Sequence, residues 1–357
     1  MNIARELTPA GQLKPLFADP LQLPFGRHFT DHMFTMEYAP ATGWGQARIK
    51  PYGPLVLEPS ANVFHYSQEI FEGQKAYKSR KGEMLMFRPQ ENARRLSRSL
   101  KRMCMPEIPE GMILEAECEL LKVEERWVPA QRGASLYIRP TVIGTEPALG
   151  IKPSTDYLFY IILSPVGPYF KEGFNPVSLW VSDTYSRAGN GGTGEAKTGG
   201  NYAGSLLATR EATQKGYSQV LWLDAGEHRY VEEVGAMNIF FIIEGKLVTP
   251  ALSGTILHGI TRKSVLELAA ELGIAPEERR IAIDEVLDGI ASGRVSEVFG
   301  AGTAAVISPV GKIGFRGRDY EVNRNQTGPW AQKFFDTLTG IQYGELEDRH
   351  GWVYVVR

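Results

Sequence analysis

Residues Ala188–Gly204 read AGNGGTGEAKTGGNYAG, seven glycines around a single lysine, Lys197. Backbone this rich in glycine does not continue a helix, and it can approach a bound group closely. A lysine set in it is either presented to a ligand or solvated on a surface loop. Within the stretch, Gly191–Thr198 (GGTGEAKT) differs at one position from the phosphate-cradling pattern G-x-x-x-x-G-K-[ST]. Ala196 stands where that pattern needs glycine, and Gly199 and Gly200 follow the lysine where its helix should begin. A nucleotide-binding module is therefore the weaker reading, and ATP-dependent stabilisation would be its signature.

Outward from this loop the second half alternates strands and helices. Val177–Ser182, Gln219–Asp224, Asn238–Ile243 and Val295–Phe299 read as strands, and Ala203–Lys215 and Arg262–Leu272 as helices. Val265, Leu268, Ala269 and Leu272 fall at i, i+3, i+4 and i+7, one apolar face. In the first half, residues 1–60 are rich in Pro and Gly and read as loops with short strands. Met84–Phe87 reads as a strand end and Asn92–Met103, after Pro89, as a basic amphipathic helix. Ile113–Val128 reads as a helix, and Leu136–Gly144 and Tyr157–Leu163 as strands. SPVGPYFKEGFNP, at 164–176, breaks the pattern, which places an interdomain loop at 167–175 between a 1–166 and a 176–357 domain. An α+β chain of two unequal halves results.

The chain has 357 residues, long enough for about two domains, with ordinary apolar (43%) and charged (22%) fractions. A net charge of -2 gives a nucleic acid or an anionic membrane nothing to grip. The expected partner is a small molecule. Cys104 and Cys118 cannot form a disulfide framework. His28 and His32 flank Asp31 but lack a third ligand group, so no metal is expected. Without a signal-peptide or membrane-spanning run, the expected compartment is the cytoplasm.

If Lys197 condenses with an aldehyde cofactor, it needs three supports. An anion must keep a pyridine nitrogen protonated, for which Glu233 in VEEVGAMNIF is the candidate and Glu232 its neighbour and rival. A phosphate needs amides and a cation, offered by Ile260 and Thr261 after Gly259 and by the turn Gly302–Ala304. A phenolic oxygen needs a donor, for which Tyr202 is near in sequence.

These segments together resemble the branched-chain aminotransferases, a group of fold type IV pyridoxal-phosphate enzymes. The resemblance rests on FTDHM (29–33), YSQEIFEGQKAY (66–77), FRPQENARRL (87–96), YIRPTVIGTEPALG (137–150), EAKTGGNYA (195–203), EEVGAMNIF (232–240), LHGITR (257–262) and VSEVFGAGTA (295–304). It implies the two-domain D-amino-acid-aminotransferase-like architecture, with a smaller N-terminal α/β domain and a larger C-terminal domain. It implies pyridoxal 5'-phosphate as cofactor and a ping-pong exchange between leucine, isoleucine or valine and 2-oxoglutarate, giving oxo acids and glutamate. Lys197 would be the Schiff-base lysine, with Glu233 on the ring nitrogen and Tyr202 on the phenolic oxygen. Arg95, Ile260, Thr261 and Thr303 would grip the phosphate, with Arg187 beside it. Phe29, Tyr66, Phe71 and Tyr137 would line the side-chain pocket, and Arg139 would take a distal carboxylate. Amides near Ala236 and Ala304 would hold the α-carboxylate, and Ile151 would complete the pocket of a partner in a homodimer.

The chain departs from some relatives in having Ala305 and Ser308 in place of a Cys-x-x-Cys pair, and Ala236 in place of a threonine. D-amino-acid transamination and lyase chemistry share the scaffold, and the FEG and YIRP segments favour the branched-chain group.

Overall fold

The structure is a computed structural model, and it describes residues 1–169 and 174–357. The chain forms two compact units, Met1–Tyr169 with Ala196–Gly199 and Gly340–Arg357, and Phe170–Glu195 with Gly200–Thr339. The lysine segment and the C-terminal residues thus belong with the first half, which a single boundary at 167–175 does not allow for. Of that expected interdomain loop, residues 170–173 lie outside the described residues.

The first unit is built on a nine-stranded sheet. In order it runs Ala4–Arg5, Gly43–Pro51, His32–Ala39, Tyr157–Val166, Ser135–Gly144, Gln74–Lys78, Met84–Phe87 and Val353–Val355, with Glu69–Phe71 also on Ser135–Gly144. One face buries Leu136, Ile138, Val142, Phe159 and Ile161 against Leu96 and Leu100 of the helix Pro89–Arg102 and Leu120 and Leu121 of Glu110–Val123. The two-residue period of a strand sends Tyr137, Arg139 and Thr141 to the opposite face. Antiparallel register adds Phe71, which pairs with Thr141, to that same face.

The expectation for residues 1–60 needs correction. His32–Ala39 and Gly43–Pro51 are long strands joined as a hairpin. Their polar members hid the pattern, because His32 and Thr35 are buried alongside Met33, Phe34 and Met36. The helix expected over Ala203–Lys215 is divided into Gly199–Ala203 and Leu206–Gln214. The segment Ile113–Val128 is a helix, Glu110–Val123, followed by a single 3₁₀ turn at Glu125–Trp127.

In the second unit six strands close on themselves. Val177–Val181, Gln219–Leu223, Val231–Val234, Met237–Ile243, Val295–Gly302 and Val306–Phe315 pair in a ring, the last with the first. Lys246–Pro250 and Pro276–Arg279 extend the sheet beyond the ring. Alternation again divides the residues. Ile239 and Phe241 join Leu221, Val298 and Val310 in one cluster with the helix Ile283–Ser292, while Phe240 stacks on Phe299, which meets Phe334 of the helix Pro329–Gln342.

Candidate active site

In the first unit the lysine segment is stitched to the short strand Glu69–Phe71. The Phe71 N–H donates to the Lys197 carbonyl at 2.9 Å, and Thr198 Oγ1 donates to the Glu69 carbonyl at 2.8 Å. The Gly199 N–H donates to the Glu69 carboxylate, and the Lys197 N–H to Ser99 Oγ at 3.0 Å. The lysine's main chain is therefore anchored on both sides, and its Nζ lies 4.8 Å from the centroid of the Phe71 ring.

The next residue after Phe71 is the acid of a buried ion pair. Glu72 accepts from Arg95 Nε at 2.7 Å and Nη2 at 2.8 Å, and from Asn92 Nδ2 at 2.9 Å. Burial alone would raise its pKa, but the Arg95 charge and hydrogen bonds, with a contribution from Lys197, hold it below the usual carboxylate range. Arg94, Arg98, Lys101 and Arg102 on the same helix are exposed, so Arg95 is the basic residue there that turns inward.

Three expected pocket residues meet on the open sheet face. The Arg139 guanidinium lies 4.7 Å from the Phe71 ring centroid, and its Nη2 donates to Tyr137 Oη at 2.9 Å. Arg139 Nε is buried without a hydrogen-bond partner, so the group retains a donor for a further acceptor. Gly73 makes room for the Tyr137 hydroxyl, which any Cβ there would overlap. Phe29 stacks on Tyr52 at 5.0 Å. Tyr66 donates to the Leu149 carbonyl, and Ile151, 91% exposed, lies at the surface of that loop.

In the second unit the expected residues gather around one that the sequence did not single out, Asn238. Its strand pairs with Val231–Val234, setting Glu233 opposite Asn238, and with Val295–Gly302, setting Ala301 opposite it. The turn holding Ala236 and the turn holding Thr303 and Ala304 consequently sit side by side at one end of the barrel. Val306, just past the second turn, has φ of 64°, a strained conformation for a β-branched residue. Asn238 Nδ2 donates to Glu233 Oε1 at 3.1 Å and to the Leu257 carbonyl at 3.0 Å. A Cβ on Gly259 would overlap the other amide atom of Asn238. The helix Ile260–Leu272 thus begins beside Glu233, and its glycine N-cap brings no side chain to its first amides.

Glu233 Oε2 lies 2.7 Å from Arg187 Nη1, which also donates to the carbonyls of Gly194 at 3.3 Å and Thr255 at 2.9 Å. Arg187, expected beside a phosphate, is here the counter-ion of the acid. Glu232 points elsewhere, accepting from Thr255 Oγ1, and burial raises its pKa despite that bond. Tyr202 lies on the short helix Gly199–Ala203, half-buried.

A phosphorylated pyridine aldehyde fits these residues. Uncapped helix amides next to a glycine suit a phosphate, and a buried carboxylate suits a protonated ring nitrogen. Among the described residues no group of His, Cys, Asp and Glu could hold a metal ion.

Residues 69–313 match the family amino-transferase class IV. The chain is 52% identical over 355 residues to branched-chain-amino-acid transaminase 1 of Bacillus subtilis (strain 168), covering 99% of each chain. The structure is similar to that of the branched-chain amino acid aminotransferase from Escherichia coli, with a TM-score of 0.73, 29% identity, and coverage of 92% of this chain and 99% of that one. It is also similar to the Thermobaculum terrenum enzyme in its PLP-form, with a TM-score of 0.73, 26% identity, and coverage of 91% and 98%. The match over residues 69–313 and the identity over the whole length together place the chain in the class IV aminotransferases and, within them, in the branched-chain-amino-acid aminotransferases.

Proposed function

We propose that the chain transfers amino groups between leucine, isoleucine or valine and 2-oxoglutarate, using pyridoxal 5'-phosphate held by Lys197. The observation that carries this reading is the convergence of Glu233, the Ile260–Leu272 helix start and the Ala236 and Ala304 turns on Asn238. When bound, the cofactor supplies an electrophilic aldehyde and a ring that accepts the electron pair released at the substrate Cα.

Lys197 holds the aldehyde at rest and then moves the proton at the substrate Cα. Glu233 keeps the ring nitrogen protonated, its own charge balanced by Arg187. Tyr202 donates to the phenolic oxygen. The Ile260 and Thr261 amides and Thr303 bind the phosphate, with Arg95 adding a cation shared with Glu72. Main-chain amides at Ala236 and Ala304 orient the α-carboxylate, while Phe71 and Tyr137, with Phe29 and Tyr66, accept an aliphatic side chain. Arg139 engages the distal carboxylate of glutamate in the second half of a ping-pong cycle.

Among the described residues no helix is long and apolar enough to cross a membrane, and the cytoplasm is the compartment proposed. A homodimer is also proposed. The short helix Asn62–Tyr66 is tied to the loop at 146–149, and Phe64, Leu149 and, just past that loop, Ile151 are exposed, apolar surface suited to a second copy. Light scattering checks that state, and a monomer would contradict it.

The decisive experiment follows visible absorbance. Wild-type protein with cofactor should be yellow and bleach with leucine, while Lys197→Ala should neither absorb there nor turn over. A folded wild type that gains no band with added cofactor would overturn the assignment.

A further inference from the structure

We propose that Glu69 is a positioning residue for Lys197, acting through the Gly199 amide. The proposal rests on the reading of Lys197 as the cofactor lysine. Glu69 reaches the lysine segment twice, its carbonyl taking the Thr198 hydroxyl at 2.8 Å and its carboxylate taking the Gly199 N–H. That amide opens the short helix Gly199–Ala203, so the carboxylate sits where the first amides of a helix are unsatisfied. Two residues further along the same strand, the Phe71 N–H holds the Lys197 carbonyl at 2.9 Å. Releasing the Gly199 end leaves the segment held only before it, by the Phe71 amide, the Ser99 hydroxyl and the Thr198 hydroxyl, so the 198–199 peptide can turn and shift the root of the lysine side chain.

The fit is close enough to constrain sequence. A Cβ at Gly199 would overlap the Glu69 carboxylate oxygen. Gly199 does not have positive φ, so the backbone itself would tolerate alanine and only this contact resists it. The carboxylate is largely desolvated, which raises its pKa, while the Gly199 amide and then Arg139 oppose the rise. Arg139 and the Tyr160 hydroxyl are the other ionisable groups facing it, whereas the Lys197 charge acts on Glu72. A partly buried acid is costly unless its oxygens are used, and the use visible here is the lysine loop.

Three variants of the cofactor-loaded enzyme test this by the pH midpoint of the visible band and by kcat and KM for leucine. Glu69→Gln keeps an acceptor oxygen and should stay within about threefold of wild-type kcat, as expected when a hydrogen bond is retained. Glu69→Ala and Gly199→Ala should each lower kcat about tenfold, leave KM within about twofold, and move the midpoint by about half a pH unit. Wild-type midpoints and kcat in both overturn the proposal. Should Glu69→Ala lose its cooperative melt, Gly199→Ala decides alone, a shifted midpoint supporting the proposal and an unshifted one sinking it. Borohydride trapping and peptide mapping of the wild type separate the two layers, since a label on another lysine refutes the Lys197 reading and not the clamp.

Discussion

Arg95 lies fork-to-fork on Glu72, with Nε to Oε1 at 2.7 Å and Nη2 to Oε2 at 2.8 Å, and both side chains are almost wholly buried. The pair links the helix Pro89–Arg102 to the strand segment that also grips the lysine loop. Removing either member leaves a buried charge without its counter-ion. Arg95→Ala or Glu72→Ala should therefore cost about 3–5 kcal/mol, measured by denaturant unfolding of the apo protein. The double variant should cost less than the sum of the two, and strict additivity would contradict the pairing.

Close to this pair, Glu117 is fully buried, accepts from Gln74 Nε2, and has its pKa pushed well above the usual range by burial and then by the Glu72 charge. A carboxyl whose folded pKa is raised favours folding in its protonated form. Its contribution is complete below the unfolded value of about 4.5 and is lost as pH rises through the folded value. Glu117→Gln should melt near wild type at pH 4.5 and increasingly above it as the pH is raised to 8. A melting difference that shrinks with pH would rule this out. Glu72, with a lowered pKa, acts with the opposite sign and loses its contribution as pH falls through its folded value.

Arg139 keeps an unpartnered Nε among Phe71 and Tyr137. Arg139→Met should raise KM for 2-oxoglutarate by about 10–100-fold, the worth of a charge-assisted hydrogen bond or two, with leucine changed by less than about threefold. Equal effects on both substrates would exclude a role in the distal carboxylate.

Glu233 has each oxygen committed, one to Asn238 and one to Arg187. Glu233→Gln turns one oxygen into a donor that faces either Asn238 or Arg187. It should destabilise the apo protein by about 1–3 kcal/mol and weaken the thermal stabilisation that cofactor gives. A variant with wild-type stability in both forms would show that the acid carries no weight at this end of the barrel.

Local chemistry made much of this chain legible in its sequence. Met84–Phe87 and the helix at Pro89 follow from apolar runs and a proline at the first helical turn, and the apolar face of Ile260–Leu272 follows from its spacing. The glycine setting picked out Lys197. What the sequence left open was direction. Five basic residues share one helix, two glutamates share one strand, and only packing turns Arg95 and not Arg94 toward Glu72, or Glu233 and not Glu232 toward Arg187. Asn238 and Glu69 carried no local signal, because their work is done with partners set by strand register and by contacts across 130 residues, as between Glu69 and Gly199. Period and composition are properties of neighbours along the chain, whereas which atom meets which is fixed when distant strands pair and bury their faces.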